Sequence, residues 1–582
     1  MVIFFIAKLN FAQFYLDTVS VISTKILNNQ FNIKPVFKLN DSLSLINSQN
    51  NFFQYFSLSN IDVKFRSNGE NINDLSINGA TFEQNLVLFE GMRLNDCQTG
   101  HFNLDLPMNF FHSGLLTAEI QPGGSFSLYG SNAFGGYLNF QTLEYDENKY
   151  DVRFSMGEGN YLSSSLNGFF NINKNNNMLV SFVKQKSDGL RENTDFSNIS
   201  TLIKDKIKFK NGNSNFYFFY FEKDFGANDF YAKFPSYEKT RGLFLGNTSN
   251  YYIKDNLLVN LKIYYKKHND TFFLNRFDNS PNAYINHHKT FQYTTELSFS
   301  SNNYSTGIFL QKNTINSSNL GNHNRYNYAF FGEYGFIYKK LVIQSGMRYE
   351  FYNENNFLSP QFNLKYFVFN NINIFLSGGY SYRLPSFTEL YYHSPSNLGN
   401  SELKPEKAIT VESGITFIKN RMRVNFYFFH RNEKDLISWI ENKDISKWVA
   451  SNIDKMKIYG ENLNISYEFN NKLLLYFSGV FYQYDSSNKK GIVEKYLRPD
   501  YKLQAIISRS FWNKVNLLYG INYIKNVTYD PYLYSFMSIG YQYKRVVFSL
   551  EINNLFNTEY DILKYIKGDP RNILFNISFL NF

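Results

Sequence analysis

Three stretches of this sequence hold residue types that could do chemistry. "GSNAFGG" (Gly130–Gly136) sets Gly130, Gly135 and Gly136 around a short loop, a composition that suits a backbone cradle for phosphate. "INHHK" places His287 beside His288, two nitrogen donors a metal could use. "RLNDCQTGH" gathers Arg93, Asn95, Asp96, Gln98 and His101 in one short run of donors and acceptors. The first two readings meet a physical obstacle. The glycine loop has no Lys–Ser/Thr after it and no helical pattern to aim a dipole. Adjacent histidines on a strand point apart, and no carboxylate stands close to them in sequence. "GEGNYL" (Gly157–Leu162) lacks the third glycine of a dinucleotide fingerprint and reads as a turn. No Ser–His–Asp spacing or paired acids form a motif, so enzyme activity is not expected, and neither a cofactor nor a metal is called for. Cys97 is the only cysteine, which excludes an intrachain disulfide and a Cys-rich zinc site.

The elements that must position such residues are strands. The chain has 582 residues, 19% of them aromatic, with 62 Phe and 46 Tyr against 3 Trp and 12 Pro. That is far more chain than one ordinary soluble core needs, and it is rich in residues that favour strands and membrane interfaces. The net charge of +10 is spread along the whole chain, alternating with Phe and Tyr, which argues against a nucleic-acid footprint. No apolar run approaches the ~20 residues of a spanning helix. The N-terminus "MVIFFIAKLNFAQ" reads as a signal peptide over residues 1–13, a clipped or misassigned start being one form of that reading; a first strand is the alternative.

From about Tyr150 onward, segments of roughly ten residues alternate in polarity. "DVRFSMG" puts Val152, Phe154 and Met156 on one face and Asp151, Arg153 and Ser155 on the other. "LLVNLKIYYKK" opposes Leu257, Val259, Leu261, Ile263 and Tyr265 to Asn260, Lys262 and Lys266. "LVIQSGMRYE" opposes Leu341, Ile343, Met347 and Tyr349 to Gln344, Arg348 and Glu350. Short turns such as "KNNN" (Lys174–Asn177) and "KK" (Lys339–Lys340) alternate with longer polar stretches such as His268–Lys289. Tight turns at one end and longer loops at the other are the layout of an outer-membrane barrel, since a closed barrel satisfies every backbone group in lipid. Residues before about 145 lack this alternation and read as a compact α/β or α+β unit, joined to the rest by the charged "LEYDENKY" (Leu143–Tyr150).

Four places resemble the TonB-dependent outer-membrane receptor family. "IDVKFRS", "LVLFEGMRLNDCQTGHFNLDLP" and "AEIQPGGSFSLYGSNAFGGYLNFQT" are similar to successive parts of the family's plug, with Gly91, Gly130, Gly135 and Gly136 at its turns. The stretch from Arg93 is closest to cobalamin-receptor-like members. "YRLPSFTELYY…NSELKPEKAITVESGITF" resembles the barrel's midsection motif through Arg383, Pro385, Leu403, Pro405, Glu406, Glu412 and Gly414. "NLFNTEYD" with "DPRNILFNISFLNF" resembles the C-terminal signature through Asn554, Leu555, Phe556, Tyr560, Pro570, Arg571 and the final Phe582. Ser67, Glu90 and Tyr137 depart from the plug pattern, standing where relatives carry a Gly, an Asp and a small aliphatic residue. In the last strand Ile573, Phe575, Ile577 and Phe579 share a face that Leu580 and Phe582 leave.

The resemblance implies an all-β membrane protein: a 22-stranded antiparallel transmembrane barrel with an N-terminal α/β plug in its lumen. The expected division is a TonB-box segment at 14–30, a plug at 31–145 and the barrel at 146–582. Roughly 430 residues over 22 strands leave many outer loops short. The implied function is active import of a scarce small nutrient across the outer membrane of a Gram-negative-type bacterium. The cargo would be a metal chelate (siderophore) or a cobalamin-like molecule. Implied partners are TonB with its ExbB/ExbD motor, outer-membrane lipid, the ligand and the barrel-assembly machinery, with the chain acting as a monomer. TonB grips an extended peptide by strand addition, and "DTVSVIST" fits, with Thr18, Val19, Ser20, Val21 and Ile22 as the box; an ordinary plug strand is the alternative. Arg93, Asn95, Asp96, Gln98 and His101 are ligand candidates, or else they fasten the plug to the wall. A structural or adhesion barrel that has lost transport is the competing function, and a passive porin a third that the plug argues against.

Overall fold

The computed structural model describes residues 24–34, 37–39, 61–66, 71–105, 116–123, 128–230, 233–352, 355–469, 473–486, 499–512, 514–526, 529–563 and 566–581. The expected signal peptide, the box residues Thr18–Ile22, Ser67 and Phe582 lie outside them.

From Lys149 onward, 22 antiparallel strands pair each with the next. The last, Asn572–Asn581, returns to pair with the first, Lys149–Gly157, setting Phe575 opposite Met156. Closure leaves no sheet edge unpaired, which a strand protein in hydrocarbon requires. The polarity alternation reads inside-out relative to a soluble protein. On Leu257–Phe273 the inward Lys262, Tyr264, Lys266, His268 and Asp270 are buried, while Ile263 is 50% exposed on the outer face. On Leu341–Tyr352, Arg348 and Glu350 are buried and Met347 is exposed. The last strand obeys the same rule, with Ile573, Phe575 and Phe579 outward and Leu574 and Leu580 buried.

Tight hairpins mark one end. Tyr338 pairs with Leu341, Lys419 with Met422 and Tyr543 with Val546, leaving two-residue turns with Lys339, Asn420 and Lys544 at positive φ. At the other end many connections are also short, such as 158–160 and 318–320, as the residue count per strand required. The stretch His268–Lys289 is less loop than its polarity suggested. Strand pairing continues through Phe273 and resumes at Ile285, so the polar residues ride on strands that rise beyond the lipid.

Inside the lumen lies a five-stranded sheet in the order Phe37–Leu39, Leu116–Pro122, Gly136–Thr142, Leu86–Phe89, Met92–Arg93, beside the hairpin Ile61–Phe65/Asn73–Ile77. Its apolar side chains, including Val87, Phe89, Ile120, Leu138 and Phe140, form one core with the wall residues Leu202, Phe219 and Phe244. Two departures from the family pattern acquire partners here. Glu90 and Gly91 turn at φ +50° and +71°, and the Glu90 carboxylate accepts from Thr142 N–H at 2.9 Å, tying that turn to the last plug strand. Tyr137 is wholly buried and donates its hydroxyl to Glu119.

Candidate functional site at the plug and barrel wall

The polar inner face of the wall meets the plug through long cationic side chains. Lys262, Lys266 and Lys502 donate to the carbonyls of Gly91, Leu94 and Ile61 at 3.1, 2.8 and 3.0 Å. Lys266 also pairs with Asp96 at 2.9 Å, and Lys223 with Asp105 at 3.3 Å. A lysine can span the gap from wall to plug because its apolar stem packs while its ammonium finds an oxygen.

Arginines hold the glycine loop. Arg348 pairs with Glu350 and donates to the Leu128 carbonyl at 3.4 Å. Arg431 pairs with Glu433 and donates to the Phe134 carbonyl at 3.4 Å. From the plug itself, Arg93 donates to the Tyr129 and Ser131 carbonyls and to the Ser131 hydroxyl. "GSNAFGG" and the two residues before it are therefore clasped by guanidinium groups through backbone carbonyls, not built as an anion cradle. Its glycines answer to backbone proximity: a Cβ on Gly135 would lie 2.2 Å from the Ile77 carbonyl oxygen. Gly136 opens the last plug strand just beyond it.

At the loop end, the midsection motif closes on itself. Arg383 places both forks of its guanidinium on two carboxylates, Glu389 at 2.8 and 3.0 Å and Glu406 at 2.7 and 2.8 Å. Glu406 also accepts from plug Gln84 at 3.0 Å and from Ile437 N–H at 2.7 Å. Ser386 caps the short helix Phe387–Tyr391, and Glu389 returns the bond in a capping box. That helix sits on the plug, with Phe387 N–H donating to the Cys97 carbonyl and Thr388 N–H to that of Gln98. Phe387, Leu390 and Leu403 pack on buried Cys97.

The plug apex faces the same end. Phe82 stacks on His101 with ring centroids 4.3 Å apart. The His101 Nδ1 lies 2.7 Å from Asp74, which also receives Arg66. Against burial, which by itself raises it, Arg66 and His101 hold the Asp74 carboxyl down to about 2. Glu83 goes the other way, raised by burial and by the neighbouring Glu389.

At the hairpin end, the segment leading into the plug is clamped on the wall. Glu333 Oε1 accepts from the Thr24 hydroxyl at 3.0 Å, Lys25 N–H at 2.6 Å and Ile26 N–H at 3.2 Å. Lys25 Nζ reaches Glu296 at 2.7 Å and lies 4.0 Å from the centre of the Phe331 ring. Burial lowers the Lys25 ammonium to about 8 while Glu296 opposes that shift. Phe31 packs on Gly335, and Lys34 pairs with Glu412. Beside this end, Glu90, Thr142, Lys204, Lys206 and Lys262 border a polar cavity of about 630 Å³ between plug and wall.

The TonB dependent receptor-like, beta-barrel family model matches residues 129–555. The chain belongs to the TonB-dependent receptor family. It is an outer-membrane β-barrel receptor of a Gram-negative bacterium, and the family comprises transporters rather than enzymes. Membership implies an interaction with TonB and the binding of a ligand. The receptor is 22% identical to the vitamin B12 transporter BtuB of Vibrio vulnificus over 447 residues, 71% of this chain and 69% of that one. Its fold is similar to that of the siderophore receptor PirA of Acinetobacter baumannii, with a TM-score of 0.78 at 13% identity, covering 97% of this chain and 100% of that chain. It is also similar to the ferric yersiniabactin uptake receptor FyuA of Yersinia pestis, with a TM-score of 0.76 at 14% identity over 95% of this chain and 98% of that chain.

The receptor's sequence-predicted residues separate into groups. Arg93, Asn95, Asp96 and Gln98 are held inside the plug or against the wall; Asn95 bridges Val87 N–H and the Asn85 carbonyl, and Gln98 reaches Asp270 at 3.3 Å. His101 stands at the apex beside Phe82, and Gln98 lies at the same end under Thr388. Arg383, Leu403, Glu406 and Glu412 are buried, and Pro385 accepts from Arg325 at 2.6 Å. In the C-terminal signature, Asn554 bridges the Thr558 and Asp569 carbonyls and Arg571 N–H donates to Asn557, while Phe556 is 56% exposed. His287 and His288 do point apart, the first exposed and the second buried. Sequence reasoning missed Glu333, Gln84 and the pairs Arg348–Glu350 and Arg431–Glu433. The two pairs carry a readable signal: arginine and glutamate two apart on the polar face of a strand, repeated on two strands.

Proposed function

We propose that the receptor binds a small ligand at the plug apex and imports it when TonB pulls on the segment ahead of Thr24. The observation that carries this reading is the Glu333 clamp. Residues 24–26, one residue beyond the expected box Thr18–Ile22, are fastened to the wall at the hairpin end by three bonds to one carboxylate oxygen. A pull on the box is then delivered first to that clamp and next to Lys34–Glu412, so force from the periplasm reaches the plug through breakable polar contacts. The plug occupies the lumen, which favours energised import over passive flow.

The ligand is read as a metal chelate of siderophore type or a cobalamin-like molecule, a choice supported by the likeness to a vitamin B12 transporter and to siderophore receptors. His101 with Phe82 would meet it directly, the ring pair offering a flat face. Arg93, Asn95, Asp96 and Gln98 would act behind them by holding the apex in place. The test is uptake against binding. Val21→Pro removes a donor from the strand that TonB would pair with. It should abolish TonB-dependent uptake of radiolabelled cobalamin or a ferric siderophore while leaving binding to the purified receptor intact. Uptake that persists in this variant overturns the active-transport reading.

A further inference from the structure

Two carboxyls of the inner wall meet at the loop end of the barrel. Glu238 on Pro235–Lys254 and Asp270 on Leu257–Phe273 both face the lumen and are buried. Thr240 lies opposite Asp270 and Phe272 opposite Glu238, so the two acids are diagonal neighbours on adjacent strands. They share a hydrogen bond. An ionised carboxylate only accepts, so one of the two must keep its proton for that bond to exist.

The charges around the pair come from four elements. On the plug, Asp96 pairs with Lys266 at 2.9 Å and Asp105 with Lys223 at 3.3 Å, so both wall lysines are engaged. Directly across from Asp270 stands His288, whose Nδ1 meets the Ser317 hydroxyl at 2.7 Å, with His287 facing out beside it. Two residues back along the Asp270 strand stands His268. Its Nε2 meets Asp105 at 3.2 Å, and its buried Nδ1 has no hydrogen-bond partner among the described residues. Among the described residues no lysine or arginine forms an ion pair with Asp270. Burial raises its carboxyl above the ordinary value, and His288 and His268 offset that only in part. Burial also lowers the His288 imidazole.

One plug side chain completes the group. Gln98 donates from Nε2 to Asp270 at 3.3 Å. Its own N–H is held by Asp96, and its carbonyl accepts from Thr388 N–H of the helix Phe387–Tyr391. The carboxyl pair therefore grips the segment that leads to His101.

We infer that Asp270 and Glu238 form a proton-operated latch between the wall and the plug apex. With one proton shared, the pair carries a single charge and holds Gln98. Loss of that proton puts two like charges in one buried site, and water entering between wall and plug relieves them at the expense of the Gln98 contact. The folded chain keeps a proton that the unfolded chain releases, so the contact is strongest at low pH and weakens as pH rises. Protonation of His268 at acid pH adds charge to its bond with Asp105 and acts in the same direction.

The test is hydrogen exchange at residues 96–99 of the full chain in detergent, expressed as protection factors, between about pH 5 and pH 8. Wild-type protection should fall about tenfold or more as pH rises, with the barrel strands unchanged. Asp270→Asn keeps an acceptor for Gln98 and offers Glu238 a donor that does not titrate, so protection should stay high throughout. Glu238→Gln should behave alike. Asp74→Asn, which alters a different acid of the loop end, should keep the wild-type slope. Heat-modifiable gel mobility reports that each barrel is folded. A flat wild-type profile overturns the latch, and so does a slope that survives in either carboxamide variant. The measurement needs neither ligand nor TonB, so its outcome is separate from that of the uptake experiment.

Discussion

Thr24 and Glu333 are joined by a 3.0 Å hydrogen bond from hydroxyl to carboxylate, and the same oxygen takes the N–H groups of Lys25 and Ile26. One side chain of the wall therefore satisfies three donors of the segment that enters the plug. Replacing Glu333 with Ala strands the Thr24 hydroxyl and the Lys25 N–H, while Ile26 N–H keeps the Thr24 Oγ1 at 3.0 Å, at a cost of about 1–3 kcal/mol. Hydrogen exchange at residues 24–27 should rise by at least tenfold with the barrel strands unchanged. Exchange at the wild-type rate would show that the clamp does not hold the segment.

Arg383 compensates two buried carboxylates at once. Removing it as Arg383→Met leaves Glu389 and Glu406 unpaired, which costs about 3–5 kcal/mol. Thermal unfolding should shift down, and protection should fall first in the helix Phe387–Tyr391. Arg383→Lys should recover little, because an ammonium cannot span both carboxylates. Full recovery by lysine would mean that charge alone suffices.

Gly135→Ala tests the close approach inside the plug. A Cβ lying 2.2 Å from the Ile77 carbonyl oxygen cannot be accommodated without moving the backbone. The expected outcome is plug displacement costing about 1–3 kcal/mol or more, seen as faster proteolysis of the plug and as entry of antibiotics normally excluded by the outer membrane. A variant with normal proteolysis and normal exclusion would show that the loop can yield.

Asp74 gives the apex a pH dependence of known sign. Its carboxyl is held at about 2, below the ordinary value of 3.8. The unfolded chain therefore binds more protons at mildly acid pH, and stability falls as pH drops through 4 toward 2. The contribution present above pH 4 is about 2 kcal/mol. Hydrogen exchange around Asn73–Ile77 should accelerate over that window, and Asp74→Asn should remove the pH slope. A slope that survives in Asp74→Asn would assign it to another acid.

The strands, their inward and outward faces and the tight turns were legible in the sequence, because period-two alternation is a local property and lipid selects for it on every strand. Leu257–Phe273 shows this residue by residue. The glycines and the motif residues Arg383 and Glu406 were legible as a pattern, but their shared contacts, and the part Glu389 takes in them, were not. The partners stand far apart in the chain, as Gln84 does from Glu406 and Thr24 from Glu333, and only closure of the barrel around the plug brings them within bonding distance. The same limit governs Arg93, Asn95, Asp96 and Gln98. Their residue types suit a ligand and a plug–wall contact equally well, since both are built from the same donors and acceptors. Sequence determined which face each residue takes. The tertiary structure decided what stands opposite it, because burial and pairing depend on surfaces that do not exist until the plug occupies the lumen.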